Sequence, residues 1–253
     1  MPAVAIESNV LIVGAGPTGL LFANLLSSIR VNTILVEKNK STVLDPRAVS
    51  IDDESMRALQ AAGLSGTIGD ITVKGYGSIY FEPSGKPFAR VMPTVEEYGF
   101  DKRNAFEQPV FERVLRDTLA RYDNVQSMFN TRMTDFEQSL DQVCASVIDF
   151  DGQGYRISSR NMVACDGGHS PVRRALGIKM EGSSFAEPWL IIDLKTTLNR
   201  GCQTEVFCDP TRPGITLPGP NGIHRYEFKL HPYEGPNEVI EEKFVRQLMA
   251  SFG

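Results

Sequence analysis

The sequence predicts an α/β fold, α+β overall: a parallel sheet covered on both faces, interrupted and then followed by segments of a second, mixed or antiparallel sheet. Three observations predict it. Residues 9–38 read as one β-α-β unit, with short apolar strands at Asn9–Val13 and Asn32–Glu37 and a helix between them through about Ser28. Nearly continuous apolar runs of this kind suit strands buried on both faces. Strand-like segments separated by Pro, Gly and Asn clusters recur at 72–91 and after Gly177. Amphipathic helices lie between and after them.

Each element has a local reason. From Ser50 to Ala62, the positions of Ile51, Ser55, Met56 and Leu59 follow a helical period and Gly63 supplies the stop. Ser78–Phe81 and Phe88–Val91 flank the turn-rich Glu82–Pro87, as in a strand pair. Pro109–Tyr122 is a helix with Val110, Val114, Leu115 and Leu119 on one side, and two or three short strands follow before Cys165. Trp189–Leu198, Thr204–Cys208, Gly214–Leu217 and His224–Leu230 form the next strands. Asn237–Phe252 closes the chain as a helix with an apolar stripe of Ile240, Phe244, Val245, Leu248, Met249 and Phe252. Glu238, Glu241 and Glu242 fall in its first turns, where the helix dipole favours them. Without a covering element that stripe is an exposed patch that invites a partner. The order implies a nucleotide-binding domain over residues 1–180, interrupted at about 72–104, with 181–253 forming the first part of a second domain.

Composition narrows the function. The chain has 253 residues, 42% hydrophobic and 23% charged, with a formal net charge of −5. No Lys/Arg-rich block occurs, which argues against a nucleic-acid surface. The apolar stretches at Val10–Gly16 and Leu20–Leu26 fall short of the ~20 residues a membrane span needs. Met1-Pro2-Ala3-Val4 lacks the basic start and apolar core of a secretory signal. Cys144, Cys165, Cys202 and Cys208 form no CxxC pair and no metal-ligand spacing, so they read as reduced thiols of a cytoplasmic protein with no metal site.

The chemistry begins at Gly14-Ala15-Gly16-Pro17-Thr18-Gly19. A GxGxxG alone is weak; here it follows a strand, opens a helix and precedes an acid at the end of a second strand, which makes a Rossmann-like dinucleotide unit. Gly14 permits the tight turn, Gly16 lets a pyrophosphate approach the backbone, and Gly19 lets helix and sheet pack closely. Free N–H groups at the helix start then face the phosphates. Glu37 lies near the ~20-residue offset at which a carboxylate accepts hydrogen bonds from an adenosine ribose. One local rule is broken: Ser28-Ile29-Arg30-Val31 has no glycine where the helix ends, and a left-handed non-glycine there costs about 1 kcal/mol.

The fingerprint does not separate NAD from FAD, but a resemblance does. Val13–Leu20, Val36-Glu37-Lys38 and Pro46-Arg47-Ala48 resemble the opening of the FAD-dependent aromatic hydroxylases, the group A flavoprotein monooxygenases. Cys165-Asp166-Gly167-Gly168-His169-Ser170-Pro171-Val172-Arg173 is similar to that family's Asp-Gly motif, and Gln108 before Phe111-Glu112-x-x-Leu115 to its flavin-contacting glutamine. Pro188–Leu194, Cys208–Pro210 and Arg225–Phe228 are similar to the 3-(3-hydroxyphenyl)propionate hydroxylase branch. The resemblance covers essentially the whole chain.

It implies a fold like that of para-hydroxybenzoate hydroxylase, here incomplete, with a sheet domain roofing the substrate. It also implies a cofactor site of Gly14, Ala15, Gly16, Pro17, Thr18, Gly19, Glu37, Lys38, Arg47, Gln108, Met133, Asp166 and Gly167. In that site Arg47 lies near the phosphates, Gln108 contacts the ribityl region, and Asp166 serves FAD and the transient NAD(P)H. A guanidinium offers phosphate a planar fork. The implied partners are NAD(P)H, molecular oxygen and a small aromatic substrate, hydroxylated through a flavin C4a-hydroperoxide. The chemistry belongs to the flavin, and the residues name no catalytic base. His169 supports its loop; His224 and His231 flank a strand and read as structural histidines, with assistance to phenol deprotonation as the alternative for either.

Family members also carry a Gly-Asp pair whose aspartate binds the ribityl chain, and no Asp follows Asp209 here. The expectation is therefore an N-terminal part, completed by the remainder of a longer chain or by a second one. Three rivals stay open. One is another FAD enzyme on the scaffold, although a halogenase needs Trp-x-Trp-x-Ile-Pro and Trp189 is the sole tryptophan. The others are a non-catalytic flavoprotein-like partner module and an NAD dehydrogenase.

Overall fold

The computed structural model describes residues 3–44, 46–195 and 203–250. Its elements begin β1 (Val4–Val13), α1 (Pro17–Ser28), β2 (Thr33–Val36), β3 (Ser50–Asp52), α2 (Asp53–Ala61) and α3 (Ser65–Gly69). There follow β4 (Val73–Lys74), β5 (Ser78–Phe81), β6 (Pro87–Val91), β7 (Arg103–Ala105) and α4 (Gln108–Thr118). Next come β8 (Val125–Met128), β9 (Thr131–Gln138), β10 (Val143–Asp149), β11 (Gly154–Ala164) and α5 (Pro171–Ala175). The last are β12 (Trp189–Lys195), β13 (Thr204–Phe207), β14 (Gly214–Pro218), β15 (Ile223–Lys229) and α6 (Glu242–Ala250). The chain divides into two compact units.

The first unit takes residues 1–49, 54–71 and 106–181. Its sheet runs β8-β2-β1-β11-β10-β9. β1 pairs in parallel with β2 on one side and with β11 on the other, while β9, β10 and β11 form an antiparallel meander. Leu11, Val13, Ile34, Val36, Ala145, Val147 and Ile157 make one continuous core on one face. Val10, Ile12 and Leu35, alternating with them, are buried on the other face. Asn24, fully buried in α1, donates to the Leu20 and Leu115 carbonyls and so ties α1 to α4. The end of α1 is a Schellman turn: Arg30 N–H donates to Ser27 O and Val31 N–H to Leu26 O, with Arg30 at φ +62°. The missing glycine is thus replaced by a strained arginine.

The second unit takes residues 50–53, 72–105 and 182–253. Its main sheet runs β12-β15-β14-β13-β5-β6, antiparallel except where β5 and β13 pair in parallel. A small sheet, β3-β7-β4, accompanies it. Leu248 of α6 is buried with Ile192, Tyr226 and Phe228, and Phe244, Val245 and Met249 pack around them.

Several expectations need correction. Ser50–Asp52, expected to begin a helix, is a strand paired with β7, and the helix starts only at Asp53. Four strands, three of them of seven or more residues, stand where two or three short ones were expected. The terminal helix starts at Glu242 rather than Asn237, and its stripe is no open patch, because the sheet beneath covers Phe244, Val245, Leu248 and Met249. Ile240 lies before the helix and is exposed. Phe252, the tail of the strand expected to reach Leu198, and Cys202 lie outside the described residues. Cys144, Cys165 and Cys208 are free thiols. Among the described residues no helix is long and apolar enough to cross a membrane.

Candidate dinucleotide site

Three strands of the first unit end together. Val13 is in register with Val36 and with Ala164, so the turns that follow β1, β2 and β11 emerge side by side at the carboxyl ends of parallel strands. In open α/β sheets that edge, beside the strand where the order reverses, is where ligands bind. β1 is that strand here. Cross-strand bonds continue past the strand ends: Gly14 N–H donates to Val36 O at 2.8 Å and Cys165 N–H to Val13 O at 2.7 Å.

The glycine turn needs its glycines. Gly14 sits at φ +103°, and a Cβ there would collide with the Cys165 carbonyl; a Cβ on Gly19 would strike the Gly14 carbonyl oxygen. Gly16, in contrast, has nothing within 4 Å of where its Cβ would be. It is the N-cap of α1 and no side chain caps the helix. That open face above uncapped helical N–H groups is the shape and polarity a pyrophosphate requires.

Around it lies a cavity of about 270 Å³. Gly14, Ala15, Gly16, Glu37, Lys38, Arg47, Met133, Asp166 and Gly167 all line it, and they come from five separate stretches of chain. Glu37 is already engaged: Oε2 accepts the Ala15 N–H at 2.8 Å and Oε1 the Asn39 N–H at 2.9 Å. Two hydrogen bonds leave a carboxylate spare acceptor capacity for sugar hydroxyls. Asp166 Oδ2 accepts the Val172 N–H at 3.1 Å, at the start of α5, where Ser170 is the cap. Burial and the neighbouring Asp166 carboxylate push the Cys165 thiol above its usual range, so it stays a neutral wall of the cavity.

The remaining expected residues lie apart. Pro17 begins α1, Gly19 is a packing position against Gly14, and Thr18 lines a neighbouring hollow with Cys165, Asp166 and Gly167. Gln108 is buried away from the cavity lining, and its carbonyl accepts the Arg47 and Ala48 N–H groups at 2.8 Å each. His169 is exposed, His224 is buried against Tyr226, and His231 stacks on Tyr233. Reading the sequence missed Ser41, Thr42, Val43, Glu112 and Arg132, which also line the cavity.

A family model described as an FAD binding domain matches residues 7–253. The chain belongs to that family. Among its relatives, the 3-(3-hydroxy-phenyl)propionate/3-hydroxycinnamic acid hydroxylase of Burkholderia cenocepacia (strain HI2424) is 38% identical over 247 residues. That alignment covers 97% of this chain but 45% of the relative. The enzyme of the same name from Klebsiella pneumoniae (strain ATCC 700721 / MGH 78578) is 35% identical over 249 residues, again 45% of its length. The chain thus spans about half the length of the curated relatives it matches. The crystal structure of p-nitrophenol 4-monooxygenase PnpA from Pseudomonas putida DLL-E4 superposes with a TM-score of 0.86 at 23% identity, over 98% of this chain and 62% of that one. The flavin-dependent monooxygenase PieE, solved with FAD and substrate, gives 0.86 at 19% identity, over 98% of this chain and 47% of that one. These two likenesses establish the fold, and the family model establishes FAD as the cofactor.

Proposed function

We propose that the chain holds the adenosine and pyrophosphate of FAD in this cavity, within an NAD(P)H-consuming monooxygenase that hydroxylates a phenolic or related aromatic compound using molecular oxygen. The observation that carries it is the convergence of the glycine turn, the end of β2, the Arg47 loop and the Asp166–Gly167 turn on one cavity. Gly16 and the start of α1 receive the pyrophosphate, and Arg47 and Lys38 bring positive charge to the same wall. Glu37 offers its remaining lone pairs to the ribose, and Met133 provides an apolar side. Asp166 takes the position nearest the ribityl chain, and Gln108, buried behind the cavity, acts on it through the backbone of Arg47 and Ala48. Bound there, FAD would supply the redox chemistry; these residues would fix its adenosine end and so orient it. The hydroxylase names of the curated relatives support an aromatic substrate.

The relatives' extra length supports a further part of the reading, that sequence beyond the matched portion, on this or a second polypeptide, brings a Gly-Asp pair to the ribityl chain. A non-catalytic partner module is the rival that the same length difference favours. The visible spectrum of the purified protein, followed by NAD(P)H consumption across a panel of phenols, separates them. Bound flavin with turnover supports the enzyme, and bound flavin inert to NAD(P)H supports the module. Peroxide alone with every phenol, while another substrate class turns over, removes the aromatic assignment. Titration with FAD and with ADP reads completeness: FAD binding far stronger than ADP binding would show that this chain alone encloses the flavin.

A further inference from the structure

We infer that Glu112 is a positioning residue of the dinucleotide site, the middle rung of a side-chain ladder by which α4 sets the loop at residues 41–48. The inference rests on the function proposed above for its interest to catalysis, but not for its geometry. The described residues of that loop belong to no helix or strand, and Ser41, Thr42, Val43 and Arg47 line the cavity. Their backbone donors find acceptors on one face of α4. Gln108, Glu112 and Arg116 recur every four residues and so stack along the helix. Gln108 Oε1 accepts the N–H groups of Arg47 and Ala48, both at 2.8 Å. Gln108 Nε2 donates to Glu112 Oε1 at 2.7 Å, and Glu112 Oε2 accepts the Val43 N–H at 3.1 Å. Arg116 donates to Ser41 Oγ at 3.0 Å.

The chemistry of the middle rung is specific. Glu112 is wholly buried, and it meets a donor with each of its two oxygens. Only a carboxylate accepts on both sides; an amide of the same shape presents one oxygen and one NH₂. A buried carboxylate is costly unless hydrogen bonds satisfy it, so its presence here fits a requirement for two acceptors. The ladder fixes the loop on both sides of Leu44, and with it the backbone from which Arg47 reaches the cavity wall.

This makes a substitution test with a built-in rescue. Glu112→Gln must turn an N–H toward either Gln108 or Val43 and lose that bond. Adding Gln108→Glu reverses the polarity of the inner rung and restores every bond: the new carboxylate accepts from Arg47, Ala48 and the new amide, whose oxygen accepts from Val43. Hydrogen exchange at the amides of Val43, Arg47 and Ala48, with FAD and ADP titrations, reads both variants. Glu112→Gln should speed exchange at one or more of the three amides, and weaken FAD and ADP binding, by about tenfold. The double variant should bring both back. Unchanged exchange and affinity in a folded Glu112→Gln protein overturn the inference, as does faster exchange spread equally over α1 and β1. Should Glu112→Gln fail to fold, the double variant decides: protection of the three amides supports the ladder, and a second failure overturns it. Negligible FAD binding by the unsubstituted protein would count against the cofactor reading, while the exchange measurement would still judge the ladder.

Discussion

The Gly14–Gly19 turn and the 41–48 loop line the same cavity but are held in opposite ways. The turn keeps its shape through backbone against backbone, with Gly14 beneath the Cys165 carbonyl and Gly19 beneath the Gly14 carbonyl. The loop is held by side chains on α4, 60 to 69 positions away in sequence. The difference teaches where each kind of site is written. A backbone-held cradle needs small residues at fixed short spacing, so its sequence displays it. A side-chain-held loop needs one buried carboxylate and one amide far along the chain, and nothing local announces them.

The sharpest way to break the comparison is Gly19→Ala. If the turn is backbone-packed, the added Cβ forces α1 off the sheet and costs about 3–5 kcal/mol in chemical denaturation. A loss below about 1 kcal/mol would mean that the turn yields as easily as a loop. Next is Gln108→Leu, which strands two loop N–H groups and should cost about 2–3 kcal/mol, with faster amide exchange confined to the loop. Glu37→Ala should weaken FAD binding by roughly 1.5–3 kcal/mol for each charge-assisted bond removed, and unchanged affinity by titration would sink its role at the ribose. Gly16→Ala sharpens the contrast within the turn itself. Its Cβ enters open space, so thermal stability should move by less than about 1 kcal/mol while FAD affinity falls, because the methyl occupies the pyrophosphate's approach. The smallest effect belongs to Cys165. Burial and Asp166 raise its thiol titration, so alkylation at pH 8 should be slower than for a model thiol and gain pace only at higher pH. Mass spectrometry of the alkylated protein checks it, and alkylation as fast as the model thiol would contradict the burial.

Much of the site was legible because its parts are local. Gly14, Gly16, Gly19 and Glu37 stand within one β-α-β unit, and the Asp166–Gly167 turn carries its own motif. The irregular end of α1 was legible too, since Ser28–Val31 offers no glycine, but only the structure shows that Arg30 is the left-handed residue. What failed depended on distant partners. Ile51 fits a helical period, but Ser50–Asp52 pairs with Arg103–Ala105 instead, and no window around Ile51 contains that partner. The stripe on α6 was read from its spacing, whereas its cover, Ile192, Tyr226 and Phe228, comes from strands whose packing no periodicity reports. Glu112 had one overlooked signal: a carboxylate between Phe111 and Leu115 on a buried helix face, four residues after a glutamine. A charge there asks for donors, and they sit on the loop.

The position of β1 has a consequence for how the chain is born. One neighbour, Thr33–Val36, is synthesised at once, while the other, Gly154–Ala164, leaves the ribosome last of the six strands in that sheet. Until then Leu11, Ile12 and Val13 have an unpaired flank that can recruit a strand from another nascent chain. Premature termination after Val36 but before Gly154 therefore releases a polypeptide that carries an intact glycine turn and an open apolar edge, a species destined for chaperones and proteases rather than for cofactor.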